Sequence, residues 1–400
     1  MTDKKDVLIV GAGVIGCSIA YHLGKKGITS LIIDKNGIGD RASGKAWGVL
    51  SYPKSLLVRE KEPLGFWITP EGQSFGQWLD LYESSFHRMA DLALDIQERG
   101  GIDIEFGDIP LISLAFSEAE ETYHKETLSL VRQRGDYKCK WLEQDEIKAI
   151  FPAISPNVRG GLMTPQLQVE PYKYTLGLAQ SAESMGAEIR NGDVVGFETE
   201  NGNINAVKLA SGAVIEADKI VLAMGPWTTK AASWLGRDMP LSIIMEECIC
   251  LEAPEDYPHY SLYGHIEIIR KVNGELILAT AEVQSAQHYL ESKARNDLDD
   301  RLTEEVKEKN LETAVRLLPD LEEARLVTHR GDLLAYGPAP DYHRPIMGRL
   351  PQWENGYVAT GFGGLGINMS STAGHVMADM IADGQVPFRY QSMMDHLSPK

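Results

Sequence analysis

The sequence is poor in cysteine: four in 400 residues (Cys17, Cys139, Cys248 and Cys250), with no CxxC spacing among them. That pattern excludes a disulfide-stapled scaffold, offers no zinc or other metal site, and fits a reducing cytoplasm. Long apolar runs are missing too. The chain passes from Met1-Thr2-Asp3-Lys4-Lys5-Asp6 directly into Val7-Leu8-Ile9-Val10, without a signal-peptide core or a span of membrane length, so a soluble cytoplasmic protein is expected. Positive charge is short: 39 Lys+Arg against 57 Asp+Glu leave −18, which argues against a partner read through its phosphates, such as nucleic acid. Repeats and low-complexity linkers are absent. What is there is 43% hydrophobic residues, enough to exclude disorder and to build two or three folded units.

Glycine is modestly abundant, 38 of 400, and its placement carries more than its number. Residues 7–34 read as strand, glycine turn, helix and strand: Val7–Val10, then Gly11-Ala12-Gly13-Val14-Ile15-Gly16, then a stripe of Ile15, Ile19, Ala20 and Leu23, then Leu31-Ile32-Ile33 ending at Asp34. In such a unit Gly11 permits the tight turn, Gly13 lets backbone approach a pyrophosphate, and Gly16 lets the helix pack on the strand. The helix N-terminus supplies N–H groups and a positive dipole. Asp34, eighteen residues beyond Gly16, stands where a carboxylate reaches a ribose hydroxyl. A dinucleotide site follows, without a choice between NAD and FAD.

Further along, the small-residue loop Gly37–Leu50 is too long for a simple βα connection. Residues 75–98 form an amphipathic helix whose stripe of Phe75, Trp78, Leu79, Tyr82, Phe86, Met89, Ala93 and Ile96 reads as core, and 118–150 read as charged and helical. A helix from Pro171 to Met185 precedes β runs at 187–191, 194–199, 204–210 and 213–217, taken as a meander. The strand Lys219–Ala223 then runs into Met224-Gly225-Pro226-Trp227. Residues 240–282 alternate in β fashion, and 297–318 form a charged helix. Gly356–Thr360 runs into Gly361-Phe362-Gly363-Gly364-Leu365-Gly366 before a helix from about Thr372 to Asp383. The fold class expected is α/β: a Rossmann-type domain of three segments (1–74, 158–236, 328–390) interleaved with a β-sheet-rich α+β substrate domain (75–157, 237–327).

Gly11–Gly16 with Asp34, Ala42-Ser43-Gly44 with Gly48-Val49-Leu50, Val169-Glu170-Pro171, Ala223–Trp227, Pro340-Asp341, Pro345–Gly348 and the glycine run from Gly361 together resemble the D-amino-acid-oxidase superfamily of FAD-dependent oxidoreductases, in its glycine oxidase and sarcosine oxidase branch. The resemblance implies FAD as cofactor. It places Gly11, Gly13, Val14, Ile15 and Gly16 along the pyrophosphate, Asp34 and Lys35 at the adenosine ribose, and Ala42, Ser43, Gly44, Gly48, Val49 and Leu50 toward the pyrophosphate and flavin. Val194 would touch adenine, Gly225 and Trp227 would belong to the same site, and Gly363, Gly364, Leu365, Gly366 and Ile367 would meet the pyrimidine edge of the ring. Relatives with linked flavin use a histidine near Trp47 or a cysteine before Pro340-Asp341. Neither is present here, so FAD is expected to be noncovalent.

The substrate side departs from that pattern. Where the resemblance implies carboxylate-binding arginines, a lysine and a strand tyrosine, this chain has Tyr336, Gly364, Asn368 and Glu267. Arg270, Lys271, Arg344 and Lys54 are the cations available to replace them, and a slip of one residue in a strand would exchange its faces. The expected reaction is oxidation of a CH–NH bond of an amine or amino acid by hydride transfer to flavin, giving an imine that hydrolyses. Glu267 or Glu282 would favour a cationic group, and His265 lies near the same strand. Oxygen or an electron carrier would reoxidise the flavin. Alternatives are a 2-hydroxy acid or polyol donor, an electron-passing flavoprotein subunit and, disfavoured by the later glycine turns, an NAD-dependent reductase.

Overall fold

The computed structural model describes residues 5–52, 74–133, 138–280, 298–338 and 344–400. Lys54, Glu282, Pro340 and Asp341, and the side chains of Phe75, Trp78 and Leu79, lie outside the described residues.

Two large sheets organise the molecule. The first has a parallel core in the order Glu188–Asn191, Ser30–Asp34, Lys5–Val10, Val214–Leu222, Gly356–Thr360. In its three inner strands the stretches Val7–Val10, Leu31–Ile33 and Ile220–Leu222 are apolar and buried because both faces are covered, the expected signature of parallel sheets. Two departures from the sequence reading appear here. The 187–191 run is not part of the meander; it pairs in parallel with Ser30–Asp34, to which the Pro171–Ser184 helix returns it. The runs expected at 213–217 and 219–223 are one strand, Val214–Leu222, whose first half closes an antiparallel meander with Val194–Glu200 and Asn203–Leu209 while its second half joins the parallel core.

The second sheet has eight strands in the order Leu326–Tyr336, Ser242–Glu252, Glu275–Thr280, Ile266–Arg270, Ser261–Tyr263, Leu111–Ala115, Gly160–Thr164, Lys140–Glu143. Its pairings move two expected boundaries, since Gly160–Thr164 and Leu326–Tyr336 are strands of this sheet and not of the nucleotide half. The stretch expected to be helical from 118 to 150 contains the strand Lys140–Glu143 between helices Glu118–Gln133 and Gln144–Ile150; pairing with Gly160–Thr164 overrides the local helical pattern.

Helices Val14–Lys25, Ser74–Gly100, Pro171–Ser184 and Gly366–Asp383 pack in one core against the first sheet. Tyr82, Met89 and Ile96 are buried as their spacing predicts. Glu170 caps the Pro171 helix by accepting from the Lys173 N–H at 2.6 Å. The last helix starts at Gly366, one and a half turns earlier than expected. It is locked under the first helix, where the Ser18 hydroxyl donates to the Ser370 carbonyl at 2.8 Å and a Cβ on Gly374 would lie 2.2 Å from Ser18 Oγ. That lock sets where the terminal glycine turn emerges. Among the described residues no helix is long and apolar enough to cross a membrane.

Candidate active site

Three glycine turns, at the C-terminal ends of parallel strands, meet. The Ala223 N–H donates to Val10 O at 2.9 Å, and the Thr360 hydroxyl donates to Gly225 O at 3.0 Å, so the first turn touches the second and the second touches the last. Gly11 has φ +111°, and a Cβ there would stand 2.2 Å from the Ala223 carbonyl; one on Gly16 would stand 2.0 Å from the Gly11 carbonyl. These two glycines are required by backbone packing against backbone. At Gly13 a Cβ would meet only Ser43 Oγ, at 3.1 Å, so this glycine faces open space in front of the helix.

That space is a cavity of about 320 Å³. Gly11, Gly13, Val14, Ile15, Asp34, Ala42, Ser43, Gly48, Val49, Gly225, Trp227 and Gly363 to Ile367 all line it. Ser43 Oγ accepts the Val14 N–H at 3.0 Å and so fixes the loop to the helix N-terminus. Asp34 is held by three N–H groups, of Ala12 (2.9 Å), Asn36 (2.8 Å) and Gly37 (3.0 Å). Gly16, Lys35, Gly44, Leu50 and Val194 do not line the cavity. Gly44 is a packing glycine, its Cβ position 2.2 Å from the Gly39 carbonyl; Leu50 and Val194 are core residues; and the Lys35 ammonium sits over the Trp227 ring, 5.1 Å from its centroid.

A nucleotide diphosphate fits these residues on two observations. Gly13 leaves a cradle at a helix N-terminus, and Arg41, on the cavity wall, has a buried Nε with no hydrogen-bond partner. The far wall is the face of the second sheet, contributing Glu246, Cys248, Tyr263, Glu267 and Gly331 to Tyr336. Register resolves the strand around Glu267: Ile266 and Ile268 are buried in the core behind the sheet, so Glu267 faces the cavity.

Tyr336 is buried against the terminal turn, where a Cβ on Gly363 would lie 2.5 Å from its ring. Its phenol is pushed well above its ordinary range, first by desolvation and then by the Glu246 charge; it hydrogen-bonds the Glu246 carboxylate and meets the Gly364 backbone. Asn368, also in the wall, accepts at Oδ1 from the Tyr82 hydroxyl at 2.7 Å. Cys248 is held below the ordinary thiol range by hydrogen bonding with Cys250 and by nearby Arg330.

The other candidates lie elsewhere. His265 is exposed and stacks on Phe116, with ring centroids 4.2 Å apart. Arg344 donates to the His396 carbonyl at 2.7 Å, and Arg270 to the Lys271 carbonyl. Lys271 is buried beneath the loop, donating to the carbonyls of Trp47 and Val169 at 2.8 Å each, and burial pushes its ammonium down to about 8. Among the described residues the cations lining the cavity are Arg41 and Lys45, both paired with Asp332. Sequence reasoning missed Arg41, Lys45, Glu246, Cys248 and Asp332. The one visible signal for Glu246 and Cys248 was their alternation with Met245, Glu247 and Ile249 on an otherwise apolar strand.

Known proteins resemble this chain. A family model described as "FAD dependent oxidoreductase" (DAO) matches residues 6–380. A glycine oxidase of Bacillus licheniformis is 25% identical over 392 residues, covering 96% of this chain and 95% of its own. A 4-methylaminobutanoate oxidase (formaldehyde-forming) of Paenarthrobacter nicotinovorans is 24% identical over 95% of this chain and 44% of its own. Among solved structures, the glycine oxidase of Bacillus cereus ATCC 14579 superposes with a TM-score of 0.81 at 24% identity over 99% of both chains. That last likeness establishes the fold.

Proposed function

Because the chain belongs to the DAO family of FAD dependent oxidoreductases, we propose that it oxidises the CH–NH bond of a small amine that lacks an α-carboxylate. FAD, when bound, would supply a hydride acceptor for the carbon beside nitrogen, and water would hydrolyse the imine so formed to a carbonyl compound and an amine or ammonia. Gly13, Val14, Ile15, Ser43 and Arg41 would hold its diphosphate, Asp34 its ribose, and Gly363 to Ile367 the ring edge; with Gly48 following Trp47 and no cysteine in Leu334-Ala335-Tyr336, it would be held noncovalently.

The observation that carries the substrate reading is the composition of the wall. A carboxylate leaving water needs charge-assisted partners. Of the cations that could replace the missing ones, Arg270, Lys271 and Arg344 do not line the cavity and each donates to a backbone carbonyl, and the lining cations Arg41 and Lys45 are paired with Asp332, whereas Glu246 and Glu267 line the cavity. An amine arrives as a cation and must lose a proton before its C–H bond gives up a hydride; carboxylates in the wall attract the cation.

The test is an anaerobic screen in which loss of flavin absorbance is followed with primary and secondary amines, N-methyl amino acids, D-amino acids and 2-hydroxy acids. Amines should bleach the flavin and hydroxy acids should not. Glu267→Gln should raise the amine concentration needed for half-reduction. Bleaching only by amino acids or hydroxy acids, or unchanged kinetics in Glu267→Gln, would overturn the reading.

A further inference from the structure

Arg41 stands where three parts of the molecule meet, and it was not among the residues that the sequence singled out. It belongs to the loop following Asp34, on the nucleotide side. Its guanidinium stacks on Trp227 of the middle turn, 4.9 Å from the ring centroid. Its Nη2 is shared by two carboxylates from the substrate side: Asp332 at 2.9 Å, on the Leu326–Tyr336 strand, and Asp300 at 2.7 Å, just ahead of the helix Glu304–Leu317. The same strand grips the loop twice more, through Lys45 to Asp332 at 2.7 Å and through Arg330 to the Ala46 carbonyl at 3.4 Å. Asp332 is 2% exposed, so its pairing is not a surface accident. Arg41 Nε is buried and has no partner.

We propose that Arg41 is a positioning residue that ties the diphosphate of FAD to the substrate-side sheet, its Nε donating to a phosphate oxygen while Asp332 and Asp300 hold Nη2. The chemistry favours this division of labour. The charges of Arg41 and Lys45 are already balanced by Asp332 and Asp300, so little spare charge is left to attract a phosphate, and geometry has to supply what charge does not. A planar guanidinium presents Nε and Nη2 on one rigid fork and can serve two acids at once; an ammonium at the same place has charge but no fork. Binding FAD therefore completes the Arg41 hydrogen-bond set and stiffens the connection to residues 298–303, which do not touch the cofactor cavity. The inference rests on the cofactor and not on the identity of the amine.

The test measures FAD release from the holoenzyme and rebinding, both by flavin fluorescence. Arg41→Met and Arg41→Lys should each weaken FAD binding on the order of 10- to 100-fold, the range for losing a hydrogen bond to a charged group. Asp300→Asn should weaken it several-fold in the wild-type background and not at all in the Arg41→Met background. Hydrogen exchange reads the connection separately: adding FAD should slow exchange of the amides of 298–303 in the wild type and leave them unchanged in Arg41→Met. Wild-type affinity in Arg41→Lys would reduce Arg41 to a simple charge, an additive Asp300→Asn effect would break the link to Asp300, and equal protection in both proteins would remove the connection; each overturns the proposal. Failure of every amine to bleach the flavin would leave these measurements intact, so the two readings fail separately.

Discussion

Lys271 offers the most quantitative check on how the cofactor loop is held. Its ammonium is 3% exposed, donates to the Trp47 and Val169 carbonyls, and is displaced from an ordinary 10.5 to about 8, mainly because burial disfavours the charge. Below pH 8 the lysine is charged in both folded and unfolded chains, and its burial costs the fold about 3–4 kcal/mol, at about 1.4 kcal/mol per unit of displacement. Between pH 8 and 10.5 the unfolded chain keeps the proton that the folded chain has released; the unfolded state then binds more protons, and stability rises with pH. From about pH 7.5 to about pH 9.5 this recovers about 2 kcal/mol. Lys271→Met removes that penalty but leaves two buried carbonyls unpaired, at about 1–3 kcal/mol each, so near neutral pH the terms offset and the net change is within about 2–3 kcal/mol. The wild type should then gain about 2 kcal/mol relative to the variant at the higher pH. Urea unfolding at a fixed excess of FAD at the two pH values measures it. A gap that stays constant would refute the buried-cation account of this loop.

Other outcomes follow from the same geometry. Gly11→Ala places a methyl 2.2 Å from the Ala223 carbonyl in a left-handed backbone, and should cost at least ~3 kcal/mol and yield protein without flavin absorbance; a normal melting temperature and a yellow protein would contradict the turn contact. Tyr82→Phe removes the donor to the Asn368 amide oxygen in the buried wall, and should lower stability by about 1–3 kcal/mol in denaturant titrations, with no loss if the wall is open to water. Acid precipitation should leave the yellow colour in the supernatant; colour retained in the pellet would mean a covalent flavin.

The first glycine turn was legible because its requirements are local. Gly11, Gly13 and Gly16 answer to a strand end and a helix start only residues apart, and the structure gives each its own reason: two backbone collisions and one open cradle. The 187–191 strand was misassigned because its local pattern is the same in a meander as in a parallel sheet; only the neighbour differs, and that neighbour is Ser30–Asp34. Lys140–Glu143 was hidden in a charged, helix-like stretch because its stability comes from pairing with Gly160–Thr164. His265 and Arg344 were plausible by position in the chain, yet one side chain turns to solvent and the other ties down the C-terminal segment.

By itself the sequence determined the class of molecule: strand periodicity, the spacing from Gly16 to Asp34, and three separated glycine turns require an α/β nucleotide fold assembled from distant segments. Only the tertiary structure decided the chemistry of the walls. Lys45 and Asp332 lie 287 residues apart, and Tyr82 and Asn368 are 286 apart. Whether a charge faces a ligand, a partner or a carbonyl depends on such long-range contacts, which no local pattern encodes, because side-chain direction on a strand is fixed by register and register by the strands beside it.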